Sequence, residues 1–308
     1  MATTEVTIAQ YCEFLNAVAA DDTNALWTGE MESDLMVAGI RRSGPPGSYR
    51  YSLIGSGARP ITYPNWYAAA RFINWLHNGQ PTGPQGPSTS ESGVYTLTGP
   101  TSGSSTRALD ARFFLPTASE QYKAAYHAPR TTAMGGPPGD TFYWLYPTQT
   151  QLTLYSVVPP GVLCPDVTLA ANIFKNDGIP NDFDNGLALT NLLTTDPTLN
   201  HLSDVGAYTR AKSYWGLSDA AGNVQEWTET ILSGDVSVMR GGGFSTALGG
   251  LQSTNVFTIA RSDRSSALGF RVARPMPVSS PCADLTGDHI ISSADLAVLL
   301  TQFGASCP

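Results

Sequence analysis

Asp284, Thr286, Asp288, Ser292 and Asp295 occupy positions 1, 3, 5, 9 and 12 of the stretch DLTGDHIISSAD, and the Ile290 carbonyl falls at position 7. Hard oxygen donors at this spacing, followed by the helix-like run SADLAVLLTQFG, are what a twelve-residue loop uses to wrap a calcium ion. His289 stands where such loops carry glycine, and Asp295 where they carry a bidentate glutamate. The plainer alternative is a capped helix behind an acidic turn. Cys282 and Cys307 bracket this last segment, which is too small for a core of its own. A disulfide between them would add roughly 3 kcal/mol on the chain-entropy account. That pairing favours an oxidising compartment.

The other reactive residue types are thinly spread. The four histidines, His77, His127, His201 and His289, show neither HxxxH nor HxE spacing, so each reads as a surface or capping residue rather than a metal ligand. Cys12 sits on the apolar face of AQYCEFLNAVA and Cys164 in GVLCPD, with nothing electropositive beside them; either they pair or both are inert structural thiols. Asp177, Asp182 and Asp184 crowd one loop, but acidic loops are more often solvated or ion-bound than catalytic. No GxSxG, P-loop or HExxH pattern occurs.

The elements that must position these groups follow from periodicity and capping. TIAQYCEFLNAVAA carries helix-spaced apolar residues behind a capping box of Thr7 and Gln10. PNWYAAARFINWLH predicts a second helix starting at a proline and ending at Asn78-Gly79. FFLPTASEQYKAAYHAP predicts a strand, a turn and a third helix capped by Thr117 or Ser119. Residues 130–210 are irregular, and a long ordered loop region needs local staples such as metal ions. VSVMRGGGF, NVFTIARS and LGFRVARP alternate like strands, and PMPVSSP is a stiff linker. The expected organisation is a main domain over 1–274, a linker over 275–281 and a small module over 282–308.

Bulk composition narrows the function classes. Of 308 residues only 14% are charged, with a formal net charge of -8, so few cations are available to neutralise phosphates and nucleic-acid binding is not expected. No apolar run reaches the roughly 20 residues a membrane span requires. Aromatic residues Trp27, Tyr49, Tyr51, Tyr143, Trp144 and Tyr146 could stack on sugars if exposed.

Three stretches in this order, EVTIAQYCEFLNAV, GLSDAAGNVQEWTE and MRGGGFSTALGG with SSALGFRVAR, resemble the formylglycine-generating enzyme family, the sulfatase-modifying factors. YPNWYAAARFINWL, FLPTASEQYKAAY and ANIF agree, and the likeness runs from about Glu5 to Arg274. It implies an α+β, loop-rich fold of the C-type-lectin-like kind. It also implies that RGGGF begins a core strand, with Arg240 and Arg271 in internal polar contacts and Gly241, Gly242 and Gly243 allowing close backbone approach. Calcium is expected on Asn223, the Val224 carbonyl and Glu226, and on Asn172 with the Ile173 carbonyl; the alternative is that Asn223 and Glu226 only cap a turn. The tail resembles a short, cysteine-bracketed dockerin module of EF-hand-like type. Only one loop is present where cohesin-gripping modules carry two, leaving anchoring, sorting or assembly.

Enzymes of the family bind copper through two cysteines lying between the RGG and GFR motifs, whereas residues 241–270 here contain none. Cu(I) prefers sulfur ligands that Phe244, Ser245 and Thr254 lack. Related sulfoxide synthases bind iron through histidines on an added domain, a spacing also missing here. Calcium is therefore the expected cofactor, without copper or iron. The expected function is a non-catalytic secreted or cell-surface protein that binds a glycan, a protein or its own copies, including self-assembly into a layer or filament. The alternative is a metal-dependent oxidase or hydroxylase with an altered site.

Overall fold

The computed structural model describes residues 1–179 and 183–275. The linker residues 276–281 and the calcium-loop module with Cys282, Cys307, Asp284, Thr286, Asp288, Ile290, Ser292 and Asp295 lie outside the described residues, as does Asp182. The chain divides between Arg274 and Pro275, and the first unit, Met1–Arg274, holds every helix and strand named below.

Its architecture is mixed α/β and rich in loops. Helix α1 (Ile8–Val18) begins at Thr7, whose hydroxyl accepts from the Gln10 N–H while the Gln10 side chain accepts from the Thr7 N–H, the reciprocal cap read from the sequence. Helix α2 (Trp66–His77) is capped by Asn65, which accepts from the Ala68 N–H; Pro64 precedes this cap instead of opening the helix. Helix α3 (Ala118–Tyr126) is capped by Thr117 with Glu120, which settles the choice against Ser119. Removing that cap in Thr117→Ala is expected to lower stability by about 1 kcal/mol, read as a shifted midpoint in urea unfolding.

A four-stranded sheet closes the unit. Strands β1 (Gln225–Ser233), β2 (Val236–Arg240), β3 (Phe257–Ala260) and β4 (Leu268–Gly269) lie in the order β3-β2-β1-β4. β2 runs antiparallel to both β1 and β3, and β4 pairs with β1 in parallel, Gly269 opposite Glu226. β1, with nine residues the longest strand, was hidden in the sequence behind the turn-like GLSDAAGN that leads into it. The RGGGF stretch leaves a strand rather than beginning one. β2 ends at Arg240, and Gly241 and Gly242 then turn the chain at φ of 97° and 78°, which side chains rarely tolerate.

The core forms where α1 and α2 meet the sheet. Phe72 packs against Tyr11, Phe14, Trp75 and Phe270 with centroid distances of 5.4–6.0 Å. The buried Trp66 and Trp227 indoles donate to the Thr228 and Pro64 carbonyls. Tyr51 and Tyr146 belong to such cores and are buried, so neither presents a face to a ligand. The described residues of 130–210 contain only 3-10 turns and two-residue strands, as their composition predicts. Among the described residues no helix is long and apolar enough to cross a membrane.

Candidate functional site

The residues singled out around GNVQEW and ANIF converge on one buried polar knot. Arg271, just after β4, directs Nε and Nη2 at the two oxygens of Glu226 on β1, each at 2.5 Å, and both side chains are fully buried. The side-chain amide of Gln121, from α3, donates to the same carboxylate at 2.6 Å. The remaining Arg271 hydrogens reach the Ala2, Thr3 and Ser218 carbonyls. One guanidinium therefore joins the N-terminal segment, the 218–224 loop and the sheet.

Asn172 and Asn223, expected at two separate calcium sites, meet each other directly. Asn172 Nδ2 donates to Asn223 Oδ1 at 3.0 Å and to the His201 carbonyl at 2.9 Å. Asn223 Oδ1 also accepts from the Ser203 N–H, and its Nδ2 donates to Glu5 Oε1. The Ile173 carbonyl accepts from the Ser156 hydroxyl at 2.6 Å. Backbones close the knot: Asn223 N–H donates to Asn172 O and Phe244 N–H to Asn223 O.

These contacts test the fit of calcium at Asn223, Val224 and Glu226. Both Glu226 oxygens are held by a guanidinium, and a divalent ion beside Arg271 would meet like charge at close range. The Asn223 oxygen is likewise occupied by N–H donors. The arrangement does not fit a calcium ligand set there; Glu226 serves as the counter-ion of Arg271. Among the described residues no group of three or more His, Cys, Asp or Glu is placed to hold a metal.

The knot carries excess buried acid. Glu5, Asp219 and Glu226 are buried around Arg271 as their common cation. Burial, reinforced by Asp219, pushes the Glu5 carboxyl well above its ordinary range, and its Oε2 has no hydrogen-bond partner among the described residues. Burial raises Asp219 to about 6, against the N–H of Gly206 that favours its charged form. The folded chain thus holds the Asp219 proton up to about pH 6, whereas an unfolded aspartate releases it near 3.8. Folded protein binds more protons across that window, so this group's contribution to stability falls as pH rises from about 4 to 6 and is level above. Asp219→Asn keeps an acceptor for Gly206 and removes the charge. It is expected to stabilise the chain at pH 7.5 by on the order of 1 to 3 kcal/mol and hardly at all near pH 4, measured by urea unfolding at both values.

Other candidate groups are dispersed. Arg240 is held apart from the knot, donating to the Ser253 and Asn255 carbonyls below the Tyr122 ring. Lys175 binds Asp184 at 2.5 Å and Asp177 at 2.9 Å, so the acidic loop is an ion-pair cluster. His77 accepts from the Arg112 N–H, and His201 is buried and stacked on Phe244 at 5.4 Å. Cys12 and Cys164 are free and buried, which decides against their pairing, and burial raises both thiols. Sequence reasoning missed Glu5, Gln121, Asp219 and Ser203. Their partners lie from 13 to 218 residues away, and spacing carries no signal over such separations.

Between the motifs, Phe244 fills the space with Val37, Leu187, Leu202 and Val224, and Gly243 passes so close to Ala267 that a Cβ there would lie 3.0 Å from its methyl. A cavity of about 560 Å³ is lined by residues such as Glu5, Phe72, Trp75, Phe113 and Val272, and by none from 241–270.

A loop-rich mixed α/β domain, tied through its centre by an arginine from GFR and a glutamate from GNVQEW, defines the class of protein. The sulfatase-modifying factor enzyme 1-like domain family matches residues 1–276, and the chain belongs to that family. No curated protein matches it. Among solved structures, CarF shares 18% identity with a TM-score of 0.48, covering 89% of this chain and 85% of its own. PvdO from Pseudomonas aeruginosa shares 14% at a TM-score of 0.42, covering 89% and 79%. Treponema denticola variable protein 1 shares 16% at 0.40, covering 88% and 82%.

Proposed function

We propose that this chain is a non-catalytic binding protein of the secreted or cell-surface kind. In this reading a C-type-lectin-like scaffold presents loops to a glycan, a protein or further copies of itself, and the tail loop of Asp284 to Asp295 takes calcium and serves anchoring or assembly. The observation that carries the reading is the content of residues 241–270, where no cysteine occurs. Sulfur is the ligand that copper-dependent oxygen activation in this family requires. The described thiols, Cys12 and Cys164, lie in separate buried clusters. Low charge supports self-association, since weakly charged surfaces repel one another little.

Glycan arrays and sedimentation velocity on the purified full chain, with and without calcium, test the proposal. Binding of a glycan, or concentration-dependent assembly, supports it. A strictly monomeric chain that binds no glycan and consumes oxygen in the presence of a thiol-containing peptide overturns it in favour of an oxidase.

A further inference from the structure

The hairpin turn at 213–216 carries a tyrosine and a tryptophan at its corner. Gly216 N–H donates to the Ser213 carbonyl at 2.9 Å and Lys212 bridges Ser218, which makes Tyr214 and Trp215 the two central residues. Corner positions favour proline, glycine, asparagine, aspartate and serine for backbone reasons, and two large rings gain nothing from a turn itself. They are held by ring contacts here. Trp215 lies parallel to His127, 4° between planes at 6.1 Å, while Tyr214 meets Trp215 edge-on at 5.1 Å. His127 continues to Tyr143 at 5.1 Å, and Tyr143 stacks on Tyr122 at 4.7 Å. The result is a strip of rings joining this turn to α3, with Trp215 49% exposed.

Two features tell what the strip would take. Core tyrosines and tryptophans such as Tyr11, Tyr126, Trp66 and Trp227 hydrogen-bond to the chain. In contrast, the hydroxyls of Tyr122, Tyr143 and Tyr214 and the indole N–H of Trp215 have no partner among the described residues. Flat apolar faces edged by open donors match a polyhydroxylated ring, with C–H groups on its face and hydroxyls on its rim. Charge then selects within that class. Arg130 lies 4.9 Å over the Tyr214 ring, and Lys123 stands one helical turn before His127, whose N–H donates to the Lys123 carbonyl. Both are exposed and neither forms an ion pair among the described residues, on a chain whose net charge is -8. We infer that the Tyr214-Trp215 turn and the α3 rings form a binding strip for an acidic oligosaccharide, whose uronate carboxylates or sulfates face Arg130 and Lys123. This rests on the scaffold reading above and names its ligand class and site.

Calorimetric and tryptophan-fluorescence titration of the full chain with oligogalacturonate, chondroitin sulfate oligosaccharide, cellohexaose and a short oligothymidylate tests the inference. One acidic sugar is expected to bind and to change the emission. Trp215→Ala should weaken that binding at least about tenfold, and Lys123→Gln with Arg130→Gln should do the same while removing most of its salt dependence. All three positions are exposed, so unchanged thermal unfolding accompanies the expected loss. The inference falls if neither acidic sugar binds, if cellohexaose or oligothymidylate binds as tightly, or if Trp215→Ala binds the acidic sugar as the parent does. If the chain still self-associates or captures another glycan in that event, the scaffold reading stands and only this site is lost.

Discussion

Arg271→Met is expected to lower folding stability by about 3 to 5 kcal/mol, the cost of leaving a buried charge without its partner. The substitution removes both charge-assisted bonds to Glu226, leaving its carboxylate at zero exposure with only the Gln121 amide. It also strips the shared cation from a region where Glu5 and Asp219 are buried as well, and it takes a donor from each of the Ala2, Thr3 and Ser218 carbonyls. Total stabilities of single domains are about 5–15 kcal/mol, so the methionine variant should unfold at much lower urea than the parent. Glu226→Gln in the same chain removes the stranded charge and should recover part of the loss. Arg271→Lys preserves charge but offers one point in place of a two-pronged donor, so it should fall between. A methionine variant within about 1 kcal/mol of the parent would show the pair to be energetically idle.

Gly222→Ala should be comparably severe, at least about 3 kcal/mol, through backbone geometry. Gly222 has φ of 90°, and a Cβ built there would lie within contact of the Asn172 carbonyl and 2.7 Å from Ile173 Cγ2. That carbonyl accepts the Asn223 N–H at 2.8 Å, so any shift that relieves the clash breaks the knot joining ANIF to GNVQEW. Gly234, at φ of 52°, has open space around its Cβ position, so alanine there should cost clearly less than at 222. Equal costs at the two positions, in parallel urea unfolding, would mean that conformational strain alone decides the outcome.

What could be read in the sequence was local. Thr7 with Gln10 and Thr117 with Glu120 are three residues apart, and the caps they announce form as reciprocal bonds. The strands after Trp215 were legible from alternation, but β1 was masked because its first residues also fit a metal-binding or turn-capping pattern. Asn-x-x-Glu looks the same whether Glu226 faces an ion or a guanidinium. Arg271, 45 residues away, decides between them, and only the parallel pairing of β4 on β1 brings it there. The aromatic strip was partly visible through Tyr143. Its organising contact, His127 on Trp215, joins a helix end to a distant turn that no periodicity connects.

Whether this domain binds or catalyses depends on what residues 241–270 can ligate. Titration of the purified full chain with Cu(I) against a competing chelator, while oxygen uptake is followed with a cysteine-containing peptide, measures this most directly. The prediction is no stoichiometric high-affinity copper and no thiol-dependent oxygen consumption. One tightly bound copper per chain with turnover of the peptide thiol would contradict it.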